Sequence, residues 1–306
     1  MTTPTDLRME RARLSLEGLS LGDAFGERFF EYEDVIHRLL EHREPPPPPW
    51  PFTDDTQMAL SIVGSLRRHG AIDQDWLAHS FAQHYEPSRG YGAGMHRLLR
   101  NLAAGGDWRT ASRQQFSGQG SFGNGAAMRV APLGGYFADD LDQAVEQAAR
   151  SAEVTHAHPE GVAGAIAVAV AAAWAWRIGQ GGAPSGATLL DLVLPYVPDS
   201  EVRSRIGRAL NLSPGAPPQT GAAVLGSGFE ISAQDTVPFA IWCAASYLND
   251  FEAALWHTVG GLGDIDTTCA IVGGIVALSV GPNGLPAGWR DQRESLPAWP
   301  FIPEEP

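Results

Sequence analysis

The sequence predicts an all-α protein, and three observations carry that expectation. Apolar residues recur at helical spacing along most of the chain, period-2 alternation bounded by turn residues is scarce, and proline and glycine gather at a few breaks. One domain is expected over 1–306, with its core at about 14–280, since no linker or internal repeat divides the chain.

In chain order, Leu14, Leu16, Leu19 and Leu21 lead into Gly22-Asp23-Ala24-Phe25-Gly26, a small-residue helix able to pack closely on a neighbour. Pro45 to Pro49 can form only extended loop or polyproline II and reads as a surface spacer. Met58, Ile62, Val63 and Leu66 lie on one helical face. Further apolar faces fall at Ala144–Ala152, Ala163–Trp176, Val237–Tyr247 and Ile271–Leu278. Gly179–Ser185 and Pro214–Pro218 read as surface loops, and the proline-rich tail 282–306 is expected to wrap the outside.

The 306 residues are 44% hydrophobic, enough to bury a sizeable core. A net charge of -14 argues against an electrostatic grip on nucleic acid. The two cysteines, Cys243 and Cys269, sit in apolar helical patterns and read as free buried thiols. Met1 to Arg13 lack an apolar secretory core, and the Val162–Trp176 run reads as a buried helix rather than a membrane span. Cytoplasm is the default expectation.

Two acidic clusters stand directly before apolar helices: Thr53-Asp54-Asp55-Thr56 and Asp264-Ile265-Asp266-Thr267-Thr268. Either one alone reads as a capped helix N-terminus. Together they carry more carboxylates than capping needs, and four aspartates gathered in one place cannot all ionise without compensation. Two divalent cations would supply it, and an oxygen-only donor set points to magnesium ahead of manganese or calcium. The Gly118–Gly125 stretch contains a GxGxxG match outside any βαβ pattern; its backbone can still face a phosphate, or simply turn the chain between helices. His156 and His158 lack a third histidine and read as structural, with His156 the candidate for ligand contact.

These motifs taken together, TDDT, GSFGNGAAMR, THAHPEG and GDIDTT, with the early GLSLGDAFG, resemble the ADP-ribosylglycohydrolases from about Gly18 to Leu278. The Arg89–Gly94 stretch, the glycine loop and Ser232–Trp242 are most similar to the branch acting on O-linked, serine-type ADP-ribose; the arginine-specific branch is the nearest alternative. The resemblance implies an all-α, single-domain orthogonal helical bundle with a central di-metal cleft, in which Thr53, Asp54, Asp55, Asp264, Asp266 and Thr267 hold two Mg2+. It also implies that Gly92, Phe116, Gly120, Ser121, Phe122, Gly123, Asn124 and His156 hold ADP-ribose. Where the serine-type branch carries a loop glutamate, strict register places Phe30, so Glu27 or Glu31 must serve, with Asp55, in catalysis. Ile265 stands where the family has a threonine, and Phe122 where it often has tyrosine.

The implied reaction is metal-assisted hydrolysis at C1″ of the distal ribose, with a carboxylate transferring protons. The implied partners are ADP-ribose and ADP-ribosylated proteins or metabolites, with no nucleic acid or membrane, and the family's default state is a monomer. Two other readings share the scaffold: an ADP-ribose-binding protein without activity, and a two-metal phosphatase acting on the diphosphate.

Overall fold

A computed structural model describes residues 4–182 and 188–302, without the side chains of residues 4 and 31–34. Among the described residues sixteen α-helices follow one another, the first eight being α1 (Pro4–Glu27), α2 (Ile36–His42), α3 (Asp54–His69), α4 (Gln74–Gln83), α5 (Ala93–Ala103), α6 (Trp108–Gly118), α7 (Ala131–Tyr136) and α8 (Leu141–Glu153). The second half contains α9 (Pro159–Gly179), α10 (Leu189–Val193), α11 (Glu201–Ala209), α12 (Pro218–Leu225), α13 (Ala233–Ser246), α14 (Phe251–Val259), α15 (Ile265–Val280) and α16 (Trp289–Gln292). Among the described residues there is no β-strand, only isolated bridges between Trp50 and Arg293 and between Gly123 and Ser232. The all-α expectation holds.

Local chemistry explains where the helices that frame the site begin and end. Thr53 caps α3, and Gly70, in the left-handed region at φ 69°, closes it by donating to Leu66 O. Arg67, Arg68 and His69 crowd its last turn, where cations suit the helix dipole. His158 caps α9 by accepting the Glu160 N–H at 3.1 Å, and Pro159 occupies the first position, where its missing N–H costs nothing. α9 is long and apolar enough to cross a membrane, but most of it is buried against α7, α8, α13 and α15.

The pairing that organises the molecule is α1 on α15, its most extensive helix contact. Small residues allow it. A Cβ on Gly18 would lie 2.3 Å from Gly273 O, one on Gly22 2.1 Å from Cys269 O, and one on Gly26 2.6 Å from Ile265 O. The C-terminal end of α1 is then fixed by aromatic packing. Phe25 stacks on Trp289 at 4.6 Å and meets Trp50 and Trp256 edge-on at 5.5 and 5.1 Å.

Several sequence expectations need correcting. α1 begins at Pro4, and buried residues run from Met9 to Pro300, beyond the expected core limits on both sides. Pro218 opens α12 rather than continuing a loop. The pentaproline run is mostly exposed, yet Pro46 is buried and its carbonyl accepts the Trp50 indole N–H at 2.8 Å. The tail does more than wrap the outside: Trp289 is buried, and the chain pairs with Trp50 through Trp50 N–H to Gln292 O (2.8 Å) and Glu294 N–H to Trp50 O (3.0 Å). Residues 183–185 of the expected loop and 303–306 of the tail lie outside the described residues.

A methyl group at Gly22 has no space between two backbones, whereas Gly207 in α11 faces nothing within 4 Å. Gly22→Ala should therefore lose at least about 1–3 kcal/mol of unfolding free energy, while Gly207→Ala should gain about 0.5–1 kcal/mol. Urea unfolding of the two variants beside the parent chain checks this pair of opposite signs.

Candidate active site

The close approach of α1 and α15 carries a carboxylate, Asp23, to the N-terminus of α3. Asp23 is completely buried and takes four donors there. The Thr53 and Thr56 backbone N–H groups donate to it at 3.0 and 3.1 Å, and the two hydroxyls at 2.9 and 2.5 Å. Asp23 thus does from another helix what an N-cap does locally, satisfying donors that the first turn of a helix leaves open. The aspartates of the TDDT cluster are relieved of that duty.

The second cluster is similarly freed. Asp264 is the N-cap residue of α15 but makes no side-chain capping bond. Its carboxylate instead accepts Asn124 Nδ2 at 2.6 Å, and its carbonyl accepts the Thr268 hydroxyl at 2.9 Å. Oxygen atoms of Asp23, Asp55 and Asp266 lie within 4.8 Å of one another. Thr53 Oγ1 sits 3.0 Å and Thr267 Oγ1 3.5 Å from Asp55 Oδ2. Asp55 Oδ1 and Asp266 Oδ1 are buried without a hydrogen-bond partner. Of the expected metal-site residues, Asp55 and Asp266 thus converge, Thr53 and Thr267 flank them, and Asp54 and Asp264 stand at the edge, near enough to raise the Asp55 pKa by their charge.

Burial raises every carboxyl in the group, and mutual repulsion adds to it. Asp23 is pushed up to about 6 by burial, against the opposing hydrogen bonds of the two threonines. Asp54 is pushed to about 8, by burial and then by the Asp23 charge. Asp55 and Asp266 are raised well above the usual carboxylate range, by burial first and then by their acidic neighbours. Asp264 is raised by burial against the Asn124 hydrogen bond. Buried carboxylates with orphaned oxygens and an all-oxygen environment fit a hard divalent cation, which would remove both the repulsion and the unmet acceptors.

The glycine loop lies alongside. α6 ends in non-helical backbone, with Phe116 and Ser117 at φ 51° and 60° and Gly118 and Gly120 at φ 88° and 78°. A Cβ on Gly120 would meet His158 N at 2.7 Å, so the loop seats directly on the start of α9. Ser121 Oγ accepts the Gly123 N–H at 3.2 Å, and Asn124 links the loop to Asp264. The His156 ring lies against Gly123 and Gly125. Phe116 is 52% exposed, its ring 5.7 Å from that of Phe122. Gly92 begins α5, whose Gly94 sits beside Phe116. The eight residues expected to hold a ligand are therefore spread around the glycine loop and the approaches to α5 and α9.

Glu27 lies one helical turn after Asp23 and lines a cavity of about 370 Å³ with Phe52, Thr53, Glu86, Arg89 and Gly90 among its walls. The Glu31 side chain is outside the described residues.

Three features escaped the sequence reading. Asp23 was read as part of a packing segment, although an acid on the stripe Leu16, Leu19, Asp23 is a signal. Glu294, in the tail, accepts the Phe52 N–H at 2.8 Å and pairs with Arg89, whose carbonyl accepts the Asp54 N–H at 2.8 Å. Arg89 also lies 4.0 Å over the Phe52 ring, so the tail clamps the segment entering α3. Ile231, 62% exposed at φ 51°, stands across from the loop, its carbonyl accepting the Asn124 N–H.

The fold and site define an all-helical protein with a buried carboxylate centre beside a glycine loop. A family model described as ADP-ribosylglycohydrolase matches residues 3–300, and the chain belongs to that family. The ADP-ribosylhydrolase ARH3 of Homo sapiens is 32% identical over 331 residues, covering 94% of this chain and 90% of its own length. The ADP-ribosylarginine hydrolase Tri1 of Pseudomonas putida (strain GB-1) is 24% identical over 308 residues, 95% of this chain and 76% of that protein. A solved structure described as an ADP-ribosylglycohydrolase-related protein complex shares the fold. Its TM-score is 0.62 at 23% identity, with 94% of this chain and 93% of that chain covered.

The raised carboxyl pKa values set the sign of a pH effect. The folded chain keeps protons that the unfolded chain gives up above about pH 4. This contribution to stability is therefore lost as pH rises from there through about 6 for Asp23 and about 8 for Asp54. In chelator, the thermal midpoint should fall between pH 5 and pH 8, fall less in Asp54→Asn, and recover at pH 8 on adding magnesium. Calorimetric scans at the two pH values measure all three.

Proposed function

We propose that this chain is an ADP-ribosyl hydrolase that cleaves the C1″ bond of O-linked, serine-type ADP-ribose with the help of two magnesium ions. The single observation that carries the reading is the bond from Asn124 Nδ2 to Asp264 Oδ2, which joins the glycine loop to the carboxylate centre. A ligand lying on that loop therefore ends at the acidic cluster. Family membership and the ARH3 relative support the same chemistry.

Asp55, Asp266 and Asp264, with Asp54, Thr53 and Thr267, would hold the ions, and Asp23 would brace the α3 turn that presents them. Bound there, divalent cations would supply stabilisation of the charge that develops at the distal ribose. The chain's own residues account for the remaining steps. Exposed Phe116 and Ile231 offer apolar faces for a planar base, with Phe122 beside the first. The loop from Gly118 to Gly123 places backbone close to a diphosphate because glycine at positive φ leaves no side chain in the way. Glu27 lines the cavity at Thr53, where the leaving group departs. Its carboxylate would take a proton from the attacking water as the oxygen–C1″ bond forms. The bond from C1″ to the target oxygen breaks, and that oxygen takes up a proton to leave as a hydroxyl.

Matched serine-linked and arginine-linked ADP-ribosyl peptides, each with magnesium and with chelator, test the proposal. The expected result is free ADP-ribose from the serine peptide in magnesium alone, with kcat lowered at least about 100-fold in Glu27→Gln. Release from the arginine peptide alone would transfer the assignment to the arginine-linked substrate, and AMP as product would replace glycoside cleavage by diphosphate cleavage. Binding of ADP-ribose without release from either peptide would leave a non-enzymatic reader.

A further inference from the structure

Arg129 is the one arginine in the apolar stretch from Ala126 to Leu133, and it is fully buried. Nothing in the catalytic proposal uses it. Its guanidinium lies 4.5 Å over the Phe81 ring, and Nη2 donates to Ser151 O at 3.0 Å and to Thr155 Oγ1 at 2.9 Å. Thr155 Oγ1 is in turn 2.7 Å from His156 Nδ1. The ring's other edge, at Nε2 and Cε1, faces Gly123 and Gly125: a Cβ on Gly125 would come within 2.9 Å of Nε2, and one on Gly123 within 3.4 Å.

Donor counting along this chain favours one arrangement. A guanidinium only donates, so the Arg129 bond occupies a lone pair of Thr155 Oγ1. The hydroxyl has a single hydrogen, and among the described residues the acceptor in reach of it is His156 Nδ1. The reverse direction, Nδ1–H donating to the second lone pair of Oγ1, would leave the buried hydroxyl hydrogen without an acceptor, so Nδ1 accepts and the hydrogen of a neutral imidazole sits on Nε2. Burial, and then the Arg129 charge, depress the His156 pKa to about 3, so the ring is neutral at physiological pH. Arg129, lowered by burial only to about 9, stays charged and keeps donating.

We propose that Arg129 and Thr155 are positioning residues that lock His156 in the Nε2–H tautomer, so that the glycine loop carries a fixed, uncharged N–H donor for an oxygen of the bound ligand. The tautomer follows from the free chain. Its use rests on the proposed function, because the phosphate oxygens of ADP-ribose are acceptors that carry no hydrogen of their own. A neutral donor buried at 3% exposure reads such an oxygen without taking part in proton transfer. The same arrangement disfavours any ligand that offers a hydrogen at this position.

Imidazole 15N spectra report the tautomer directly. At pH 7 the parent protein should show His156 as Nε2–H with a non-protonated Nδ1, and ADP-ribose should shift the Nε2–H resonance. Thr155→Ser keeps the hydroxyl and should keep the spectrum and affinity. Thr155→Val keeps the shape without the hydroxyl, and should lose the fixed tautomer and weaken ADP-ribose binding about tenfold. An Nδ1–H or doubly protonated His156 in the parent protein would overturn the proposal, as would an unchanged tautomer in folded Thr155→Val. The expected tautomer with no response to ADP-ribose would instead overturn the proposed ligand, and with it the destination of the N–H.

Discussion

The structure depends on one buried carboxylate and the backbone contact that places it. Asp23 reaches the start of α3 because glycines let α1 lie directly on α15, with Gly22 against the Cys269 carbonyl and Gly26 against Ile265. Once there, it takes the N–H groups of Thr53 and Thr56 and so does the capping that α3 would otherwise ask of its own aspartates. The consequence is electrostatic. Buried Asp55 and half-buried Asp266 are held close together, each with a buried oxygen short of partners, an arrangement that costs stability unless something positive joins them.

Structure around this point serves to keep it from relaxing. The Phe25, Trp50, Trp256 and Trp289 cluster pins the end of α1, and the tail returns through Glu294 to hold Phe52 and Arg89 just before α3. On the other side, Asn124 ties the glycine loop to Asp264, and Arg129 with Thr155 holds the His156 ring at the loop's base. A strained carboxylate group and a loop of left-handed residues are both high in free energy on their own. Packing on every side holds each of them in place.

Much of the fold was legible in the sequence, because helical periodicity is a local signal and the chain repeats it from α1 to α15. The acidic clusters were legible for the same reason: Thr53-Asp54-Asp55 and Asp264-Ile265-Asp266 each announce a helix start within a few residues. Asp23 was harder, since its neighbours Gly22 and Ala24 read as packing and its partners lie in another helix. Glu294 gave no local signal at all; a lone glutamate in a proline-rich tail acquires meaning only when Trp289 docks on Phe25. Arg129 was visible as a charge in an apolar stretch, but the bond network that explains it needs three separate segments of chain.

Diffraction from crystals soaked in manganese, recorded where its anomalous signal is strong, tests the central claim most directly. The account predicts anomalous peaks touching Asp55 Oδ1 and Asp266 Oδ1, the two buried oxygens left without partners, and their loss in Asp55→Asn crystals. A fully loaded crystal with manganese elsewhere and none at these oxygens would contradict it, and would mean that the carboxylate centre is a proton-sharing structural cluster.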